Sequence, residues 1–313
     1  MSVLVTGGAG FIGSNLVRAL LDRGEQVRIL DNFSTGRRSN VHDIRNQIEI
    51  IEGDIRSFHI VREAVDGMDV VFHQAALPSV PRSIKDPITT HDVGATGTLN
   101  ILQAARDCQV SRVIFASSSS VYGDTPNLPK HEGMIPSPLS PYAVTKLTGE
   151  HYCRVFFNLY KLETVALRYF NVFGPYQDPT SEYSAVIPKF IELMRNGNRP
   201  VIYGDGEQTR DFTSIENIIQ ANLLVASIEN GVAGEVFNAA CHDHISLNTL
   251  VLELNHALNE NIKPLYTDVR LGDIKHSFAS IEKLSATVHY SPVVDFSEGI
   301  QRTVAWSVGQ EQS

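Results

Sequence analysis

The stretch "SVLVTGGAGFIG", Ser2 to Gly13, places a short apolar strand directly before a glycine-rich turn that opens a helix. Glycines at 7, 10 and 13 permit a tight turn, close backbone approach to a pyrophosphate, and tight helix–strand packing. The spacing is GxxGxxG rather than GxGxxG, and glycine-rich turns are common, so the context has to carry the reading. That context repeats along the first half. "QVRILD" reads as a second strand ending at Asp31, "IEIIEGD" as a third ending at Asp54, "DVVFHQAA" as a fourth and "RVIFASSSS" as a fifth. Helical stretches fall over 11–23 and near 57–66, 94–108 and 141–160. Short apolar strands alternating with amphipathic helices predict a parallel sheet covered on both faces, with right-handed crossovers.

After "TVALRYFNVFG" the rhythm changes. "GPYQDPTSEYS" is rich in breakers, "VIPKFIELMRNG" reads as a helix, "PVIYGDGEQTRDF" as a strand and loop, and "HISLNTLVLELNHAL" as another helix. The expected class is α/β: a Rossmann-like doubly wound parallel sheet with a smaller α/β C-terminal substrate domain. The expected division is 1–175, with a returning segment near 212–240, against an interleaved 176–313.

Charge narrows the partners. The net charge is −9 with no basic block, which argues against nucleic acid or an anionic membrane but not against a phosphorylated small ligand. Cys108, Cys153 and Cys241 are scattered and no histidine pattern has ligand spacing, so neither a disulfide framework nor a metal site is expected. No apolar run reaches spanning length and the chain opens as a strand, so a cytoplasmic location is expected.

Three sites carry the chemistry. Asp31, at the end of the second strand, can accept from both hydroxyls of an adenosine ribose and would repel a 2′-phosphate. This favours NAD over NADP, although Arg37 and Arg38 follow closely. Asp54 and Ile55 of "GDI", and Ala75 and Ala76 of "HQAA", stand at the ends of the third and fourth strands, where open α/β sheets bind ligands. In "SPYAVTK", Tyr142 and Lys146 lie four residues apart and so share a helix face, with Ser140 as cap and Pro141 in the first turn. An ammonium beside a phenol favours the phenolate, giving a candidate acid–base near neutral pH. The same spacing also occurs on ordinary amphipathic helices, so the pair gains weight from its company.

Together TGGAGFIG, Asp31, GDI, HQAA, "SSSSVYG" and YAVTK resemble an extended short-chain dehydrogenase/reductase. The later "RYFNVFGP", "YGDGEQTRDF" and "RLGDIKHS" narrow the resemblance to the nucleotide-sugar 4-epimerases that act on UDP-glucose or UDP-N-acetylglucosamine. The resemblance implies a catalytic set of Ser118, Tyr142 and Lys146, with Ser119 as the alternative hydroxyl. It implies cofactor contacts from Gly7, Gly10, Phe11, Ile12, Gly13, Asp31, Asn32, Ser34, Gly36, Asp54, Ile55, Ala75, Ala76, Tyr142, Lys146, Tyr169 and Phe170. On the UDP-sugar side it implies Ser79, Arg82, Ser118, Ser119, Tyr142, Asn171, Val186, Val201, Tyr203, Arg210, Arg270, Asp273 and Ser277. Its bound cofactor would be NAD, its assembly a homodimer, and part of the pairing face Val155, Phe156 and Leu159.

The implied reaction is C4 epimerisation through a 4-keto sugar. The acetylated UDP-hexoses lead, because Ser277 leaves room where a tyrosine would fill the N-acetyl space, and the non-acetylated pair is a possible extension. Sugar 4,6-dehydratases carry an Asp-Glu pair where this chain has Ser119 and Ser120, which disfavours dehydration. Two alternatives stand: a uronate epimerase or decarboxylase, with Arg82 as the cation facing C6, and a non-catalytic NAD sensor. One departure is Gly94, where the family carries asparagine.

Overall fold

The computed structural model describes residues 1–179, 185–269 and 275–309. The chain opens β1 (Ser2–Thr6), α1 (Phe11–Asp22), β2 (Gln26–Asp31), β3 (Ile48–Glu52), α2 (Phe58–Val65) and β4 (Val70–His73). Then come α3 (Val80–Lys85), α4 (Pro87–His91), α5 (Gly97–Asp107), β5 (Arg112–Ser118), α6 (Pro141–Tyr160) and β6 (Glu163–Tyr169). The second half runs β7 (Val172–Phe173), α7 (Val186–Arg195), β8 (Val201–Tyr203), β9 (Thr209–Arg210), β10 (Thr213–Ser214), α8 (Ile215–Ser227) and β11 (Glu235–Ala239). It continues β12 (Ile245–Ser246), α9 (Leu247–Leu258), β13 (Leu265–Thr267), β14 (His276–Ser277), α10 (Glu282–Val288) and α11 (Phe296–Gly309).

Seven strands form one sheet in the order β3-β2-β1-β4-β5-β6-β11, every neighbouring pair parallel. The chain reverses direction across the sheet between β1 and β4, which opens a crevice at the carboxyl ends of these strands. Strand alternation sorts the core. Val3, Val5 and Ile29 join Leu16, Leu20 and Ile218 in one layer with α1 and α8. Leu4, Leu30 and Val71 join Val61, Ile101 and Phe156 in the other, with α2, α5 and α6. A further cluster, including Phe173, Phe190, Met194, Leu254 and Phe296, packs α7, α9 and α11 together.

The helix expected near 94–108 is built in two parts. Residues Asp92–Thr96 form a π-helical turn before α5 begins at Gly97. A Cβ on Gly94 would lie 2.5 Å from Thr145 Oγ1 and 2.7 Å from Thr145 Cβ, so α6 passes too close for a side chain there. This close approach is the physical reason for the glycine, and it holds the helix bearing Tyr142 against the π turn. Of the expected pairing face, Phe156 is core, whereas Val155 and Leu159 are 44% and 67% exposed. No helix among the described residues is long and apolar enough to cross a membrane.

Candidate active site

One cleft of about 990 Å³ runs along the carboxyl ends of β1, β2, β4, β5 and β6. It brings together Gly7, Gly10, Phe11, Ile12, Gly13, Asp31, Asn32, Ser34, Gly36, Asp54, Ile55, Ala75 and Ala76 at one end. Ser79, Arg82, Ser118, Tyr142, Lys146, Tyr169 and Asn171 line the rest.

Other candidates fall elsewhere. Phe170, the residue after β6, is fully buried with Val121, Tyr122, Ala240 and Ala279, away from the cleft that Tyr169 lines. Ser119 does not line the cleft, but Ser120 does, and its buried Oγ has no protein partner. At the opening of α7, Ala185 rather than Val186 reaches the wall. Val201 and Tyr203 lie on β8, and Arg210 and Ser277 are paired in register between β9 and β14; none of the four lines the cleft. Arg270 and Asp273 lie outside the described residues.

The glycine end is a cradle without room for side chains. Gly7 has φ +68°, and a Cβ on it would lie 2.8 Å from Ala75 Cα, while one on Gly13 would lie 2.1 Å from Gly7 O. Asp31 accepts from Ala9 N–H at 2.9 Å and Phe33 N–H at 2.8 Å. Burial raises its carboxyl above the ordinary value, and those two donors oppose the rise. Gly36 packs on the same carboxylate, where a Cβ would come within 2.9 Å of an oxygen. The neighbouring arginines are engaged: Arg37 pairs with Asp178 at 2.6 Å, and Arg38 pairs with Glu52 at 2.6 Å while stacking on Phe33. Asp54 is held below the usual carboxylate range by Arg56, with Asn32 also donating to it. A bare cradle, a buried acid at the end of β2 and small residues at the end of β4 fit a dinucleotide with a free 2′-hydroxyl.

At the other end, α6 begins as expected: Ser140 accepts from Ala143 N–H at 3.2 Å and Pro141 occupies the first turn. Two consecutive residues of β5 hold the face of α6 that carries Tyr142 and Lys146. Ala116 O accepts from Lys146 Nζ at 2.7 Å and Ser117 Oγ donates to Glu150 at 2.5 Å, while Ser118, next in the strand, lines the cleft with Tyr142. Tyr142, Lys146 and Glu150 thus sit at successive four-residue steps along one face. Glu150 also accepts from Arg168 Nε at 2.8 Å and Nη2 at 2.7 Å, with both side chains 4% exposed.

The expected lowering of the phenol's pKa is not met in the protein by itself. Burial raises Tyr142 above its ordinary value, opposed only by the nearby Ser118 hydroxyl. The Lys146 ammonium is drawn to Ala116 O, 5.7 Å from the Tyr142 ring centroid, and burial lowers it to about 8. Two buried groups with the charged form of each disfavoured respond strongly to any charge that enters the cleft.

Beneath the cleft floor, Ala75 N–H donates to Thr6 Oγ1 at 3.1 Å, and Thr6 Oγ1 is 2.8 Å from His73 Nδ1. His73 Nε2 is 3.0 Å from Thr98 Oγ1, which donates to Gly94 O at 2.6 Å. Thr98 spends its one hydrogen on Gly94 O, so it accepts from His73 Nε2–H, and with burial keeping the ring neutral Nδ1 accepts from the Thr6 hydroxyl. Burial, then the Lys146 charge, lowers His73 to about 3. Its stabilising contribution is complete above the unfolded value near 6.5 and is lost as pH falls toward 3, where the unfolded chain binds the extra proton. At about pH 5 this group accounts for about 2 kcal/mol of lost stability. Denaturant unfolding at about pH 7 and 5 should give a smaller loss for His73→Asn than for wild type; equal losses would clear His73.

Several cleft residues escaped the sequence reading. Gln74 lies inside a quoted motif, and its amide meets the hydroxyl of Tyr169, which also bonds Asn222 at 2.9 Å. Tyr176, Gln177 and Asp178 line the opposite rim from a breaker-rich loop that has no periodicity to flag them. Glu150 had a visible signal, the continuation of the Tyr142–Lys146 step. Among the described residues no group of three His, Cys, Asp or Glu is placed to hold a metal.

The family model for the NAD dependent epimerase/dehydratase family matches residues 3–240. The chain belongs to that family. The UDP-glucose 4-epimerase of Mycolicibacterium smegmatis is 35% identical over 316 residues, covering 100% of both chains. The structure of a UDP-N-acetylglucosamine 4-epimerase from Methanobrevibacter ruminantium, in complex with UDP-N-acetylmuramic acid, is 42% identical with a TM-score of 0.94, covering 99% of this chain and 98% of that one. That of a UDP-glucuronic acid 4-epimerase from Bacillus cereus, in complex with UDP-glucuronic acid and NAD, is 32% identical with a TM-score of 0.91, covering 99% of this chain and 100% of that one.

Proposed function

We propose that this enzyme epimerises a UDP-hexose at C4 with tightly held NAD, its leading substrates being the UDP-N-acetylglucosamine and UDP-N-acetylgalactosamine pair. The observation that carries the reading is Ser118, Tyr142 and Lys146 gathered on the wall of one cleft, with Tyr142 and Lys146 one turn apart on the same helix. Residues 1–175 with 212–240 form the cofactor part in this reading, and 176–313 the sugar-nucleotide part. The glycine cradle and Asp31 would hold the adenosine half of NAD, and Lys146 its nicotinamide ribose. Bound there, NAD would supply a hydride acceptor for C4 and a positive charge to the cleft. Tyr142, as phenolate, takes the proton of the sugar 4-hydroxyl, with Ser118 bridging, and returns it once the 4-keto sugar has turned over. Arg210 grips the diphosphate while the sugar stays loose enough to turn. A homodimer belongs to the same reading: Val144, Val155 and Leu159 form one exposed stripe on α6.

The acetylated substrates are favoured by Ser277, a small and buried residue paired with Arg210, and by the 42% identity to the UDP-N-acetylglucosamine enzyme. Arg82 on the cleft wall supports a second reading, a UDP-uronate substrate, as in the Bacillus cereus relative. Incubation with each UDP-sugar and no added NAD tests both. Ser277→Tyr should slow the acetylated pair selectively, since overpacking a fitted pocket costs about 1–3 kcal/mol. Turnover of UDP-glucuronic acid alone would replace this reading with the second. Equal slowing of acetylated and non-acetylated pairs by Ser277→Tyr would remove Ser277 as the gate.

A further inference from the structure

Asp211 is a buried carboxylate with no part in the chemistry described above. It has no exposed surface, and four segments of chain meet on it. Its N–H donates to Ser277 O at 3.0 Å, and its own carbonyl accepts from Asn171 Nδ2 at 3.1 Å. Its side-chain oxygens accept from Cys241 N–H at 3.0 Å and Ala279 N–H at 3.2 Å. Arg210 precedes it in the chain and is paired across β14 with Ser277. Three of the residues assigned to the UDP-sugar side, Asn171, Arg210 and Ser277, are therefore each one bond or one residue from Asp211. Desolvating a carboxylate on neutral N–H groups is costly, and burial pushes this one up to about 6. A group kept at such a cost specifies an arrangement more than it stabilises a fold.

We propose that Asp211 is a positioning residue for sugar-nucleotide binding, the hub that sets Asn171, Arg210 and Ser277 relative to one another and to the chain leaving β11. This rests on the function proposed above and deepens it. Binding is its business and the Tyr142 chemistry is not. The Cys241 and Ala279 N–H groups both donate to the Asp211 carboxylate, so their exchange reports on the hub directly.

Asp211→Asn keeps the shape but turns an amide NH2 toward one of the two N–H donors, so one contact must break. KM for a UDP-sugar should rise at least about tenfold, while kcat and the amount of copurified NAD stay within about threefold of wild type, the binding-side pattern. A KM within threefold of wild type, or kcat and NAD content falling in parallel with it, would overturn the proposal. A measurement on the wild-type protein decides the matter if the variant does not fold. Amide hydrogen exchange with and without UDP should slow at Cys241 and Ala279 together with Asp211 and Ser277. UDP binding that leaves Cys241 and Ala279 unmoved overturns the hub alone, and failure of the wild type to bind UDP at millimolar concentration overturns the function reading as well.

Discussion

Tyr142→Phe should lower turnover on the order of 100- to 10,000-fold, with nucleotide binding and fold largely kept. The loss is expected to be large because, among the described residues, no other phenol on the cleft wall is placed to take the proton. The hydroxyl of Tyr169 is committed to Gln74 and Asn222, and burial pushes it up to about 12. Tyr176 lies on the rim, under the Arg18 guanidinium. The replacement removes one oxygen and leaves the ring, so α6 keeps its seat beside the π turn. Steady-state kinetics on the purified variant, with copurified NAD measured beside it, is the check. Turnover within tenfold of wild type would mean that the proton leaves by another route, and Ser118 or the unpartnered Ser120 hydroxyl would then need testing.

Glu150→Gln should cost about 3–5 kcal/mol in stability, because it leaves the Arg168 guanidinium buried without its counter-charge. That guanidinium has few alternatives: it lies over the Tyr122 ring at 4.6 Å, and its Nη1 is already buried without a partner. Replacing the pair together, Glu150→Met with Arg168→Met, should recover much of the loss, since no buried charge is then left unpaired and the remaining cost is the Ser117 hydroxyl that donated to Glu150. Denaturant midpoints of the two variants measure this. A single variant as stable as wild type would show that water reaches the guanidinium and that the pair is not sealed.

Much of this was legible in the sequence because it rests on period and on punctuation. Alternating apolar strands and amphipathic helices gave the parallel sheet, and Ser140–Pro141 gave the start of α6. The glycine cradle and Asp31 were readable because strand, turn and helix fix the neighbours of each residue within a few positions. What escaped depends on chain segments far apart in sequence. Phe170 and Tyr169 are adjacent, and only the sheet's orientation decides which one the cleft receives. The ionisation of Tyr142 could not be read from its spacing to Lys146, because burial of both groups and the carbonyl of Ala116 outweigh their attraction. Gly94 stood out as a departure, but its cause, the side chain of Thr145, lies on another helix.

The seventh strand has a consequence for the order in which the protein is made. β6 is buried along almost its whole length, and its outer neighbour is β11, whose residues follow Tyr169 only after a long excursion through β7 to α8. Until Glu235–Ala239 emerge from the ribosome, "TVALRY" is an apolar open edge with unpaired backbone groups. At roughly 5–20 residues per second, the excursion lasts roughly 4–14 s. A nascent chain stalled in that interval presents the part of this protein best suited to pairing with another copy, and its release by a chaperone would have to wait for β11.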